Sequence, residues 1–198
     1  ASAVAFTPDG KQIAFVAGED VWVMDRILKE PVRVTDTAHA ETSLAVADDG
    51  VVWVGAWNGV YRIVEGKVER EDGPSGPVTA VLPVGKRIVT ANDKGLDERV
   101  DGTWRPLPGP WSTTIPELAQ VGDSLYVASW SGLYRQTGDK VEYLATPKHL
   151  LSRNLRALAV DKDGRLYVGS RGGVDVYHSG QRERAITAQQ GLPSTDVH

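Results

Sequence analysis

The chain has 198 residues, 41% apolar and 24% charged side chains, a formal net charge of −4 and no cysteine. That is the balance of a folded globular protein, and it excludes disulfides, thiolate metal sites and a cysteine nucleophile. With no basic block and no apolar run near the roughly 20 residues of a membrane span, neither a nucleic-acid partner nor membrane insertion is expected.

Gly (21 residues) and Pro (11) are spread along the whole length, as in a chain of short strands and tight turns. The first elements set the pattern. Ala3-Val4-Ala5-Phe6 is an apolar run, Thr7-Pro8-Asp9-Gly10 a turn, and Ile13-Ala14-Phe15-Val16 a second apolar run. Asp-Gly between two β-patterned runs is a strong hairpin signal. Val21-Trp22-Val23-Met24 and Val32-Arg33-Val34 follow as a third and a fourth strand. The same sequence of events returns four times. Strand, glycine turn and strand recur at 44–54, 80–89, 117–127 and 157–168. Third strands open after Gly59, Gly95, Gly132 and Gly173, and polar fourth strands lie at 67–70, 103–105, 140–143 and 182–186. The turn glycines Gly10, Gly50, Gly85, Gly122 and Gly164 are spaced by 40, 35, 37 and 42 residues.

Four strands in about 40 residues is the blade period of a β-propeller. The first two strands are apolar on both faces, as strands between neighbouring blades must be, and the fourth is charged, as an outer edge is. A sandwich lacks a fixed internal period, and a parallel β-helix has a shorter one. The chain reads as all-β, a five-bladed propeller of four antiparallel strands per blade. It forms one domain over 1–198, with blades at about 1–38, 39–75, 76–112, 113–152 and 153–198.

The stretch 6–15, Phe-Thr-Pro-Asp-Gly-Lys-Gln-Ile-Ala-Phe, resembles the TolB-type repeat. The stretches 168–174, Val-Gly-Ser-Arg-Gly-Gly-Val, and 191–197, Gly-Leu-Pro-Ser-Thr-Asp-Val, resemble the propeller repeat of two-component regulator sensors. The third and fourth repeats lack the Asp before the turn glycine. The resemblance implies an extracytoplasmic (periplasmic or secreted) sensing or protein-binding module, with no catalytic residue carried over. Ser194-Thr195-Asp196-Val197-His198 also aligns with Ser152-Arg153-Asn154-Leu155-Arg156, so the chain stops at the repeat phase where it starts. A closed five-bladed ring is expected, with a segment of a longer propeller as the alternative.

In a propeller, the turns between strands two and three share a face with the blade linkers, and that face usually carries the ligand. Trp57, Trp130 and Arg171 occupy equivalent positions in three of these turns, and Trp111 lies in a linker. They are the candidate ligand-binding residues, since rings and Arg are typical anchors. The competing reading has the rings sealing the blades. His39, His149 and His198 fall in linker positions but have no companion carboxylate at fixed spacing, so no metal is expected. Asp161-Lys162-Asp163-Gly164 opens like a calcium loop but lacks the downstream Glu, and reads as a hairpin turn. No nucleophile elbow or phosphate loop is present, and no cofactor is expected. The reading is a non-enzymatic recognition or sensor module for a protein, peptide or glycan. The alternatives are a propeller enzyme of lactonase, lyase or glycosidase type, which rests on fold analogy alone, and a purely structural segment.

Overall fold

The computed structural model describes residues 3–27, 30–35, 40–64, 66–111, 114–146 and 148–197. Among the described residues, twenty strands form five four-stranded antiparallel sheets, each ordered as its strands follow in the chain. Blade one holds β1 (Val4–Phe6), β2 (Gln12–Ala17), β3 (Asp20–Asp25) and β4 (Pro31–Arg33). Blade two holds β5 (Glu41–Val46), β6 (Val52–Ala56), β7 (Gly59–Val64) and β8 (Lys67–Arg70). Blade three holds β9 (Val78–Val84), β10 (Arg87–Asn92), β11 (Gly95–Val100) and β12 (Thr103–Leu107). Blade four holds β13 (Glu117–Val121), β14 (Ser124–Ser129), β15 (Gly132–Thr137) and β16 (Lys140–Ala145). Blade five holds β17 (Leu155–Val160), β18 (Leu166–Ser170), β19 (Gly173–His178) and β20 (Gln181–Ile186). The chain divides into two compact units, one up to Pro108 with blades one to three, the other from Gly109 with blades four and five.

The Asp-Gly hairpins form for a reason visible in their hydrogen bonds. The carboxylates of Asp9, Asp49 and Asp161 each accept a backbone N–H two residues on, at 2.9–3.0 Å. The side chain thus closes the turn itself. Asp161 also accepts Arg165 N–H at 2.9 Å and the Tyr167 hydroxyl at 3.0 Å. Those bonds, the one from Arg165 foremost, hold its carboxyl below the usual carboxylate range. This carboxylate is committed to the hairpin.

Burial follows strand rank within a blade. β6 is buried at every residue and β8 at none. Inside the first unit, blade one meets blade two through Ala14, Val16, Leu44, Val52 and Val54. Blade two meets blade three through Trp53, Val60, Val78, Val81 and Ile88. There Trp53 and Trp104 pack edge to face at 6.3 Å, while Glu71 accepts Arg99 Nε at 2.8 Å and Trp104 Nε1 at 3.0 Å. Inside the second unit, Tyr126, Leu133, Leu155, Leu166, Val168 and Tyr177 form the core between blades four and five. Burial there, with the Asp175 charge adding to it, pushes the Tyr177 phenol up to about 12.

Candidate functional site

The turns between second and third strands of blades three, four and five are built alike. Their first residue is a buried Asn92, Ser129 or Ser170, which accepts the backbone N–H two residues on at 2.8, 3.2 and 3.1 Å. Ser129 and Ser170 also donate to the carbonyls of Gly132 and Gly173, at 3.1 and 3.2 Å. The fourth residue has positive φ, 137° at Gly132 and 122° at Gly173. A Cβ on Gly132 would run into the Ala145 carbonyl, and one on Gly173 into the Ile186 carbonyl. Only glycine closes these turns without strain. With both ends fixed, the second residue is held out at the tip, Trp130 in blade four and Arg171 in blade five; Trp57 takes the same position in blade two, after Ala56.

Trp57 is 58% exposed and Trp130 56%. Each tip is tied to the linker before its own blade. Trp57 N–H donates to Ala40 O at 3.2 Å, and Trp130 N–H to Thr114 O at 3.1 Å. Trp57 belongs to the first unit. In the second unit, Trp130 and Arg171 line a single cleft of about 400 Å³ together with Thr114, Pro116, Asn154 and Arg156. Among the described residues, that lining carries two guanidinium groups and no carboxylate.

Trp111 is elsewhere. Its ring is 6% exposed and meets Tyr134 edge to face at 5.8 Å, and Tyr134 stacks on Tyr143 at 4.6 Å. The linker turns the indole back over Gly109, where any side chain would collide with it. The structure therefore sets Trp111 in the interior of the second unit, packed on tyrosines, and not on the cleft.

Arg156 reaches the cleft through a bulge. In blades two, three and five, pairing of the first two strands slips by one residue, at Thr42, Thr79 and Arg156. Such an extra residue re-aims its side chain. Thr42 and Thr79 hydroxyls turn back to the carbonyls of Gly55 and Ala91, at 3.0 and 3.4 Å. The long Arg156 side chain lies along the cleft and pairs with Asp196, Nε to Oδ1 at 3.5 Å. Arg171 Nε stands 3.8 Å from the other Asp196 oxygen.

The segment 194–197 that brings Asp196 here repeats the geometry of 152–155. Asn154 N–H donates to Ser152 Oγ at 3.2 Å, and Asp196 N–H to Ser194 Oγ at 3.1 Å. Val197 N–H donates to Ser170 O at 3.0 Å, and Val197 Cγ1 crowds the place a Cβ on Gly169 would take, at 3.2 Å. Val78 crowds Gly55 in the same way, at 2.7 Å.

Of the histidines, His149 Nδ1 lies 3.1 Å from Thr146 Oγ1, while His39 and His198 fall outside the described residues. Among the described residues, no three His, Asp or Glu side chains group so as to hold a metal ion, and no helix is long and apolar enough to cross a membrane.

No family model and no curated protein matches the sequence. Solved structures do. The chain is similar to the extracellular domain of a hybrid two component system from B. thetaiotaomicron, with TM-score 0.78 and 18% identity over 89% of this chain and 27% of that one. A second such extracellular domain from B. thetaiotaomicron matches with TM-score 0.70 and 15% identity, over 92% and 29%. Virginiamycin B lyase from Staphylococcus aureus matches with TM-score 0.76 and 14% identity, over 92% and 68%.

The fold is a β-propeller.

Its five blades of four antiparallel strands fit the repeat legible in the sequence. The chain spans 27 to 29% of the length of the two sensor-system domains. At these identities the likeness speaks for the propeller fold alone, and the site rests on its own geometry. Two propeller residues of that site, Arg156 and Asn154, were not singled out by sequence. Asn154 could have been found, because it stands in the linker repeat as Asp196 does. Arg156 could not, because a bulge leaves no mark in an apolar pattern.

Proposed function

We propose that this propeller is a non-enzymatic recognition module of an extracytoplasmic sensor, binding a glycan, peptide or protein at the turn tips of blades four and five. The observation that carries the reading is the meeting of Trp130 and Arg171 in one cleft of about 400 Å³, within the size of small-ligand sites. An indole more than half exposed and a guanidinium beside it combine a flat apolar face with directed donors. Trp57, held at the same turn position in the first unit, is a separate aromatic contact. The placement outside the cytoplasm is supported by similarity to domains described as extracellular.

The test is a glycan and peptide array probed with the parent chain and with Trp130→Ala, Arg171→Ala and Trp57→Ala. The strongest hit is expected to lose most of its signal in Trp130→Ala and Arg171→Ala. An unchanged hit in both would remove the cleft from the account.

A further inference from the structure

We infer that the Trp130–Arg171 cleft takes an acidic sugar, a glycan carrying a uronic acid, and that Asp196 is its built-in counter-charge. This rests on the reading of the cleft as a recognition site and gives that site a ligand class.

The chain is acidic overall, at −4, yet the described cleft lining places Arg156 and Arg171 together with no acid. Asp196 answers both from beside the cleft, but only at 3.5 and 3.8 Å. Charge-assisted hydrogen bonds are shorter, as two pairs with a buried carboxylate in this chain are. Arg182 Nε meets Asp175 at 2.7 Å and Arg99 Nε meets Glu71 at 2.8 Å. Arg171 is 57% exposed and Asp196 44%, so an incoming carboxylate has access to Arg171 and can close to hydrogen-bonding distance, as Asp196 does not. Planar carboxylates suit the guanidinium fork.

The rest of the lining suits a sugar. The exposed Trp130 face offers a flat surface to the C–H face of a pyranose ring. Asn154 and Thr114 offer an amide and a hydroxyl to ring hydroxyls. Arginine clusters also take acidic peptide motifs, but an acidic side chain would meet the guanidinium groups alone, whereas a pyranose ring also covers the exposed Trp130 face.

The experiment is calorimetric titration of the whole chain with trigalacturonate, its fully methyl-esterified form and an acidic pentapeptide. It is repeated for Trp130→Ala, Arg171→Gln and Asp196→Asn after a melting curve confirms that each is folded. Trigalacturonate is expected to bind roughly tenfold or more tightly than the neutral ester. Arg171→Gln erases that preference. Asp196→Asn strengthens trigalacturonate binding and steepens its salt dependence, because one competing negative charge is gone. Equal binding of acid and ester, or binding of the peptide alone, each lost in Trp130→Ala, overturns the acidic-sugar inference and leaves the recognition cleft standing. Binding unchanged by Trp130→Ala, or no binding of any probe at millimolar concentration, overturns both.

Discussion

Glu117, at the start of β13, is partly buried, and burial raises its carboxyl above the ordinary 4.5 despite a hydrogen bond from Leu118 N–H. A carboxyl whose folded value is raised favours the fold while protonated, and that support is lost as pH rises through the raised value. Glu117→Gln keeps the acceptor and removes the buried charge. It is expected to raise the melting temperature at pH 7, with the gain shrinking as pH falls through the raised value and gone by about 4.5; a constant gain across pH would show that burial of charge is not the cause. Trp111 gives the complementary case. Its interior position against Tyr134 means that Trp111→Ala should cost about 3–5 kcal/mol in denaturant unfolding, with affinity of the folded fraction unchanged. The turn positions of Trp130 and Arg171 were legible, because each stands at a fixed offset from a glycine in the turn. The sequence could not place Trp111, because the side on which a linker indole lands depends on Gly109 and on tyrosines far along the chain.

At the scale of strands and turns, one device recurs with its sign reversed. The outer strands pair Arg62 with Glu69 in blade two and Arg135 with Glu142 in blade four. Blade three pairs Glu98 with Arg105 at the same place. Cross-strand position, more than the identity of either partner, carries the interaction. Arg135→Glu alone is expected to lower the unfolding midpoint, and Arg135→Glu with Glu142→Arg to recover most of the loss; no recovery would contradict the equivalence with blade three. The bonds from Lys140, with those from Arg135, bring Glu142 down to about 2. Its contribution is present above the unfolded value near 4.5 and is lost as pH falls through about 2. In urea titrations Glu142→Gln should therefore flatten the acid limb between those values and matter least below it. The capping serines act on the site itself. Ser170→Ala strips the support of the turn that aims Arg171 and is expected to cost about 1 kcal/mol, with weaker ligand binding at unchanged Trp130. Hairpins and strands were legible because alternation and Asp-Gly turns are local. The bulges at Thr42, Thr79 and Arg156 were not, since they depend on how the neighbouring strand pairs.

For the molecule as a whole, five sheets repeat one antiparallel order, and that repetition turns a turn offset into a position in space. It is why residues as far apart in the chain as Trp130 and Arg171 line one cleft. The period of glycines carried the blade count; the cleft's second charged wall, Arg156, came only with the strand register. The most direct test of the cleft is fluorine NMR of the chain labelled with 5-fluorotryptophan, each resonance assigned by a Trp→Phe variant, before and after addition of trigalacturonate. The account requires the Trp130 signal to be open to a paramagnetic cosolvent and then to shift and become shielded on titration, while Trp53 and Trp111 stay protected and unmoved throughout. A Trp130 signal indifferent to a bound ligand, or a Trp111 signal that responds in its place, would contradict it.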